Sequence, residues 1–240
     1  MRRAKSDIPA QAVETVVDFF RKIATSKNSW SVQLGKSECV LDGLVVGYRY
    51  YEENGRLAKE TPIKDGKIHG RTYEWKEDGT LHLMEPYCNG IPHGVAKQYE
   101  GDRVIGIYKL IHGTGYDIWR SCNKSGSVFI EEIHSMKDGF RHGFEWWLNH
   151  DRTIWCETHW RKGKRHGIER TWRKGRGMHR GYPKYWINDN VVKRSQYLAE
   201  CRKDNTLPPY KTSDNVPRRK FPALLERIIK SKRKVKGLKL

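Results

Sequence analysis

The feature that most constrains this chain is a five-residue pattern, Gly-x-x-His-Gly, that returns at a fixed interval. It reads Gly66-Lys-Ile-His69-Gly70, Gly90-Ile-Pro-His93-Gly94, Gly139-Phe-Arg-His142-Gly143 and Gly163-Lys-Arg-His166-Gly167, with an earlier copy, Gly43-Leu-Val-Val-Gly47, that lacks the histidine. The second glycines step by 23 and 24 residues, then by 49 from Gly94 to Gly143, then by 24 again. The long step has room for two units, and the degenerate stretch from His112 through Gly115 to Trp119 fills it, which makes six units. Self-similarity at a fixed period marks a repeat architecture, in which each unit buries its apolar surface only against its neighbours.

Each unit continues with an alternating stretch, a polar turn and a second alternating stretch. Gly47-Tyr-Arg-Tyr-Tyr leads through Asn54-Gly55 to Leu57–Ile63, and Arg71-Thr-Tyr-Glu-Trp leads through Asp78-Gly79 to Leu81–Tyr87. Asn-Gly and Asp-Gly between alternating runs predict β-hairpins, because both central residues of a type I′ turn need positive φ. The linkers carry the same chemistry at Asp65-Gly66, Asn89-Gly90, Asp138-Gly139 and Lys162-Gly163. The expected fold is therefore mainly β: an elongated antiparallel meander of about twelve strands, roughly 55–60 Å across at the usual strand spacing. Alternation puts Phe144, Trp146 and Leu148 on one sheet face and Glu145 and Trp147 on the other.

Three regions follow. Residues 1–40 are a lead-in, with an amphipathic helix expected over residues 8–25 from Val13, Val16, Val17, Phe20 and Ala24, capped by Asp7 and started by Pro9. Residues 41–187 are the array. Residues 188–240 are expected to hold a short helix within Val191–Lys203, a loop over Asn205–Val216 and a second amphipathic helix through Phe221, Leu224, Leu225, Ile228 and Ile229, ending in a polybasic tail.

The unit Lys-Asp-Gly-Lys-x-His-Gly, followed by an aromatic, Glu-Asp-Gly-x-Leu and Glu, resembles the variant MORN repeat (membrane occupation and recognition nexus) of the bacterial YwqK-type antitoxins of toxin-antitoxin pairs. The second, fifth and sixth units match best; the fourth loses Gly-x-x-His-Gly and the third has a short turn at Gly101-Asp102. The resemblance implies a non-enzymatic binding scaffold whose partner is a protein, a toxin in the antitoxin case, while some MORN proteins contact membranes.

Charge localises the candidate binding residues. Residues 1–140 hold 20 basic and 19 acidic side chains, whereas residues 141–240 hold 27 and 9. Arg161, Lys162, Lys164, Arg165, Arg170, Arg173, Lys174, Arg176 and Arg180 crowd into the last two units, opposed only by Glu169, and Trp146, Trp147, Trp155, Trp160, Trp172 and Trp186 lie in the same units. Trp, Tyr and Arg are the usual anchors of protein interfaces, so the aromatic sheet face is expected to engage a protein partner, while Arg/Lys with stacking rings also suits nucleic acid. The polybasic tail suits an anionic membrane surface.

The same residues exclude other classes. The four repeat histidines sit one unit, about 10 Å, apart, too far for two to share a zinc ion at about 2 Å, so they and their flanking glycines are expected to serve the turns, with no metal or cofactor. The acidic positions Glu60, Glu85 and Glu157 are periodic and are expected to pair across strands. No phosphate loop, nucleophile elbow or HExxH is present, which argues against an enzyme. Cys39, Cys88, Cys122, Cys156 and Cys201 are dispersed with no CxxC and are expected to be reduced, in keeping with a cytoplasmic chain lacking a secretory leader or transmembrane run.

Overall fold

Two kinds of turn recur in this protein and alternate, except at Gly101-Asp102, where the leading glycine has positive φ and Asp102 does not. At Asp42-Gly43, Asp65-Gly66, Asn89-Gly90, His112-Gly113, Asp138-Gly139 and Lys162-Gly163 both residues have positive φ, the type I′ conformation. At Asn54-Gly55 and Asp78-Gly79 only the glycine does, so these two are not type I′ as the dipeptides suggest. There Gly55 N–H donates to Glu52 O and Gly79 N–H to Lys76 O, a type I turn closed by a left-handed residue. The Asn or Asp side chain holds the turn from within: Asn54 Oδ1 accepts Arg56 N–H at 2.9 Å and Asp78 Oδ1 accepts Thr80 N–H at 2.8 Å. The second type recurs at Asn123–Ser127 and at Asn149–Thr153.

The computed structural model describes residues 5–18, 22–26, 29–32, 35–173 and 177–230. It is mainly β, an antiparallel meander in which chain neighbours pair, and it divides into two compact units, residues 1–107 and 108–240. The first unit contains β1 (Val13–Asp18), β2 (Lys22–Ser26), β3 (Ser29–Val32), β4 (Gly35–Leu41), β5 (Leu44–Tyr51), β6 (Leu57–Lys64), β7 (Lys67–Ile68), β8 (Gly70–Trp75), β9 (Leu81–Cys88), β10 (Ile91–Pro92) and β11 (Gly94–Glu100). The division falls within β12 (Arg103–Ile111). The second unit continues with β13 (Thr114–Cys122), β14 (Val128–Lys137), β15 (Phe140–Leu148), β16 (Ile154–Arg161), β17 (Lys164–Arg173), β18 (Gly177–Met178), β19 (Lys184–Ile187) and β20 (Asn190–Val192). It ends in α1 (Arg194–Glu200), a 3-10 turn at Thr212–Asp214 and α2 (Ala223–Lys230). The tail 231–240 lies outside the described residues.

The expected N-terminal helix is overturned. Residues 13–18 form β1, paired antiparallel with β4 in the register Val13↔Val40, Glu14↔Cys39 and Thr15↔Glu38, and Ala24 lies in β2. Phe20 falls outside the described residues. The run Val13, Thr15, Val16, Val17 is β-branched and favours extended backbone. Strand pairing also lets Glu14 reach Arg49 at 3.2 Å. Val13 and Val16, the supposed core stripe, are 68% and 54% exposed. Asp7 is not a helix cap; it accepts both the backbone N–H and the guanidinium of Arg71, each at 2.7 Å.

Register carries the polar pairing across the sheet. Arg49 stands opposite Glu60 and Arg170 opposite Glu157, with ion pairs of 3.1 and 2.7 Å. In the second unit the C-terminal segment folds back on the sheet: Ile168 and Tyr185 pack with Tyr197 of α1 and with Leu207 in one buried cluster. Among the described residues no helix is long and apolar enough to cross a membrane.

Candidate functional site

The repeat motif divides its work among its residues. The first glycine supplies the second residue of the type I′ turn. The second lies beneath a side chain of the preceding strand: a Cβ at Gly94 would stand 2.8 Å from Pro86 Cγ, and one at Gly167 2.7 Å from His159 Cβ. Both glycines also have φ above +120°, so no other residue fits without displacement. The histidine fastens the next turn. Asn89 N–H points at His69 Nδ1 at 3.4 Å and Asn188 N–H at His166 Nδ1 at 3.3 Å. The main chain repeats this backward reach, since Gly90 N–H donates to Ile68 O, Gly139 N–H to Gly113 O, Gly163 N–H to Arg141 O and Asp189 N–H to Arg165 O. His93 N–H donates to Pro86 O as His69 N–H does to Pro62 O. Burial, with Lys137 and Arg161 nearby, pushes His142 below the ordinary imidazole value. No group of three or more His, Cys, Asp or Glu among the described residues is placed to hold a metal ion.

Four tryptophans of the last units answer carboxylates, of which Glu145 and Glu157 are buried and Glu169 half-buried. Glu145, Glu157 and Glu169 recur every 12 residues on adjacent strands. Trp146 Nε1 donates to Glu157 at 2.8 Å, Trp147 Nε1 to Glu145 at 3.2 Å and Trp186 Nε1 to Glu169 at 2.7 Å, while Trp160 Nε1 also donates to Glu145. A buried carboxylate needs such donors to stay ionised. Glu145 completes a buried cluster with His134, whose ring nitrogens lie 3.0 Å from Glu132 and 3.0 Å from Glu145. Burial alone would lower His134, but the two carboxylates push it up to about 9. Burial alone would raise Glu145, yet His134, Arg141 and the Trp160 indole hold it below the usual carboxylate range.

These partners decide where the candidate binding residues stand. Trp146, Trp172, Trp186 and Arg170 are buried, and Trp147 and Trp160 partly so; only Trp155, at 39%, counts among the exposed large apolar side chains. Arg161 pairs with Asp204 at 3.3 Å, and Arg165 lies over the Trp186 ring at 3.6 Å. Lys162, Lys164, Arg173 and Arg180 are exposed, and Lys174 and Arg176 fall outside the described residues. The expected Arg/Trp surface is therefore not one open patch. Much of it is covered by residues 204–225: Asn215 accepts Arg170 Nε at 3.0 Å, the carbonyl of Asn215 faces Trp172 Nε1 at 3.4 Å, and Phe221 meets the Trp146 ring edge-on at 5.1 Å. Residues 205–216, expected as a loop, carry part of this cover, with Leu207 and Tyr210 as apolar residues at no regular period; Phe221, expected in the second amphipathic helix, lies just before α2.

Between this covering segment and the face of β15–β16 a cleft of about 540 Å³ remains open. Phe144, Trp146 and Glu157 line it from the sheet, and Asp214, Arg218, Arg219, Lys220 and Phe221 from the cover. Arg219 ion-pairs with Glu157, as Arg170 does, so two guanidinium groups share one carboxylate. No family model matches the sequence and no curated protein matches it.

Proposed function

We propose that this chain is a non-catalytic binding scaffold of six variant MORN units over residues 41–187, which engages an acidic partner through cations at its type I′ turns. The observation that carries the reading is the contrast between acids and bases in the second unit. Glu145 and Glu157 are buried among indoles and cations, whereas Lys137, Lys162 and Lys164 stand exposed beside the turns at 138–139 and 162–163 and form no ion pair among the described residues. Successive turns of this kind lie about two strand spacings, ~10 Å, apart, so they offer a row of fixed positive charge. The reading of six units is supported by the type I′ turns at 42–43, 65–66, 89–90, 112–113, 138–139 and 162–163, the fourth of which falls where the motif itself has decayed; a seventh such turn, at 188–189, follows the array.

The partner proposed first is a protein, a toxin in the antitoxin version of the reading. The alternative is nucleic acid or anionic membrane, held by the basic C-terminal half. The buried Glu and His groups bond to one another and to indoles, which supports a structural role for them over a catalytic one. Capture of partners by the full chain from its native cell, with and without nuclease, is the test, run beside the K162E/K164E variant. A protein retained after nuclease and lost with charge reversal supports the first reading; loss on nuclease treatment moves the assignment to nucleic acid. If charge reversal changes nothing, the turn row is not the contact. The antitoxin version further requires relief of growth arrest caused by a neighbouring toxin gene.

A further inference from the structure

We propose that the cleft between the β15–β16 face and residues 213–222 is a binding site for a small ligand that joins a planar ring to a phosphate group, the chemistry of a nucleoside monophosphate. Its volume, about 540 Å³, lies within the roughly 300–1,000 Å³ usual for small-molecule sites.

Two walls of different chemistry meet there. The apolar wall is a corner of three rings. Phe144 and Trp146 are stacked at 5.7 Å with an interplanar angle of 18°, and Phe221 closes on Trp146 at 85°. Rings in this arrangement leave a flat apolar edge suited to a further ring. The polar wall has surplus positive charge. Glu157 is the shared partner of Arg170 and Arg219, and Asp214 stands 3.9 Å from Arg219. Arg218 is 76% exposed at the mouth, with a long 3.5 Å approach to Asp151, and Lys220 forms no ion pair among the described residues.

The cationic groups also carry unmet hydrogen-bonding capacity. Arg219 Nε, on the cleft wall, is a buried donor with no hydrogen-bond acceptor among the described residues. Buried guanidinium donors without acceptors are costly, and an anion supplying several acceptor oxygens removes that cost. Burial pushes Arg219 down to about 10. A phosphate meets both needs at once, and Arg219 lies on the same cleft wall as Phe221. This site is independent of the partner surface at the type I′ turns.

Titration calorimetry on the full chain tests it with three probes: adenosine monophosphate, adenosine and inorganic phosphate. The monophosphate is expected to bind at least about tenfold more tightly than either half alone, because ring and phosphate contacts act together. Its binding should weaken with added salt. R218Q/K220Q, which leaves the buried Glu157 pairs in place, is expected to weaken the monophosphate about tenfold with an unchanged melting temperature. F221L should weaken the monophosphate and leave inorganic phosphate unaffected. Replacing Lys232, Arg233, Lys234 and Lys236 with Gln controls for the tail and should change nothing. The proposal is overturned if the three probes bind alike, if R218Q/K220Q binds as the unaltered chain does, or if the tail variant alone abolishes binding.

Discussion

Two histidines in the second unit, His134 buried and His159 half-buried, are shifted in opposite directions, and together they favour an intermediate pH of maximum stability. His134, held between Glu132 and Glu145, is pushed up to about 9. His159, packed over Gly167 with its Nδ1 2.5 Å from His166 O, is pushed down to about 4 by burial. An unfolded histidine titrates near 6.5. For His134 the folded state binds the proton more tightly, so its contribution is complete below pH 6.5 and is lost as pH rises through 9. For His159 the unfolded state binds the proton more tightly, so stability is lost as pH falls from 6.5 toward 4. At 1.36 kcal/mol per pH unit, His134 contributes about 3 kcal/mol and His159, partly exposed, about 2 kcal/mol after discounting for solvent. Urea unfolding followed by tryptophan fluorescence should therefore show a midpoint that peaks near pH 6.5. H134Q should flatten the limb between pH 6.5 and 8.5, and H159Q the limb between pH 6.5 and 4.5. If H134Q keeps the same alkaline slope as the unaltered protein, the imidazolium between the two carboxylates does not exist as described.

Other predictions probe other joints. E157Q strips the carboxylate that Arg170 and Arg219 both pair with and should cost about 3–5 kcal/mol in urea unfolding, while E157M/R170M should recover part of that loss in a double-mutant cycle. G167A, where a Cβ would meet His159 at 2.7 Å, should destabilise by well over the roughly 1–2 kcal/mol expected for G79A, which meets open space and pays only for its positive φ. Zinc added in slight excess should leave the melting temperature unchanged; a stoichiometric rise would make ligands of the repeat histidines. F221A uncovers the Trp146 ring and should red-shift tryptophan emission.

How much of this was legible in the sequence depended on whether the cause was local. Asp65-Gly66 or Lys162-Gly163 dictates its own backbone through positive φ, so the turns, and through them the strands and their pairing order, are written in adjacent residues. The 13–17 stretch misled because its valines satisfy a helical period by coincidence, and the partner that decides the matter, β4, begins only at Gly35. The candidate site was hidden for the same reason on a larger scale. Trp146, Trp172 and Arg170 look like an interface until Asn215 and Phe221 fold back over them, contacts 43 to 75 residues away along the chain. Periodicity marks which side chains share a sheet face, but not which segment will cover that face.

The alternation of turn types has a consequence for how such a chain can change length. At the type I′ turns 89–90, 138–139, 162–163 and 188–189 the chain is tied to the turn before by main-chain bonds such as Gly90 to Ile68 and Gly163 to Arg141, so an extra residue there throws the next repeat out of step. The opposite turns, at Asn54–Gly55 and Asn123–Gly126, are closed by bonds made within themselves. At Asn54–Gly55 the bond that reaches the neighbouring turn comes from a flexible side chain, Arg56 Nη1 donating to Glu77 O, which an inserted peptide can carry along. The protein therefore has a metered edge that keeps the count of the array and an elastic edge where new sequence can be grafted without losing that count.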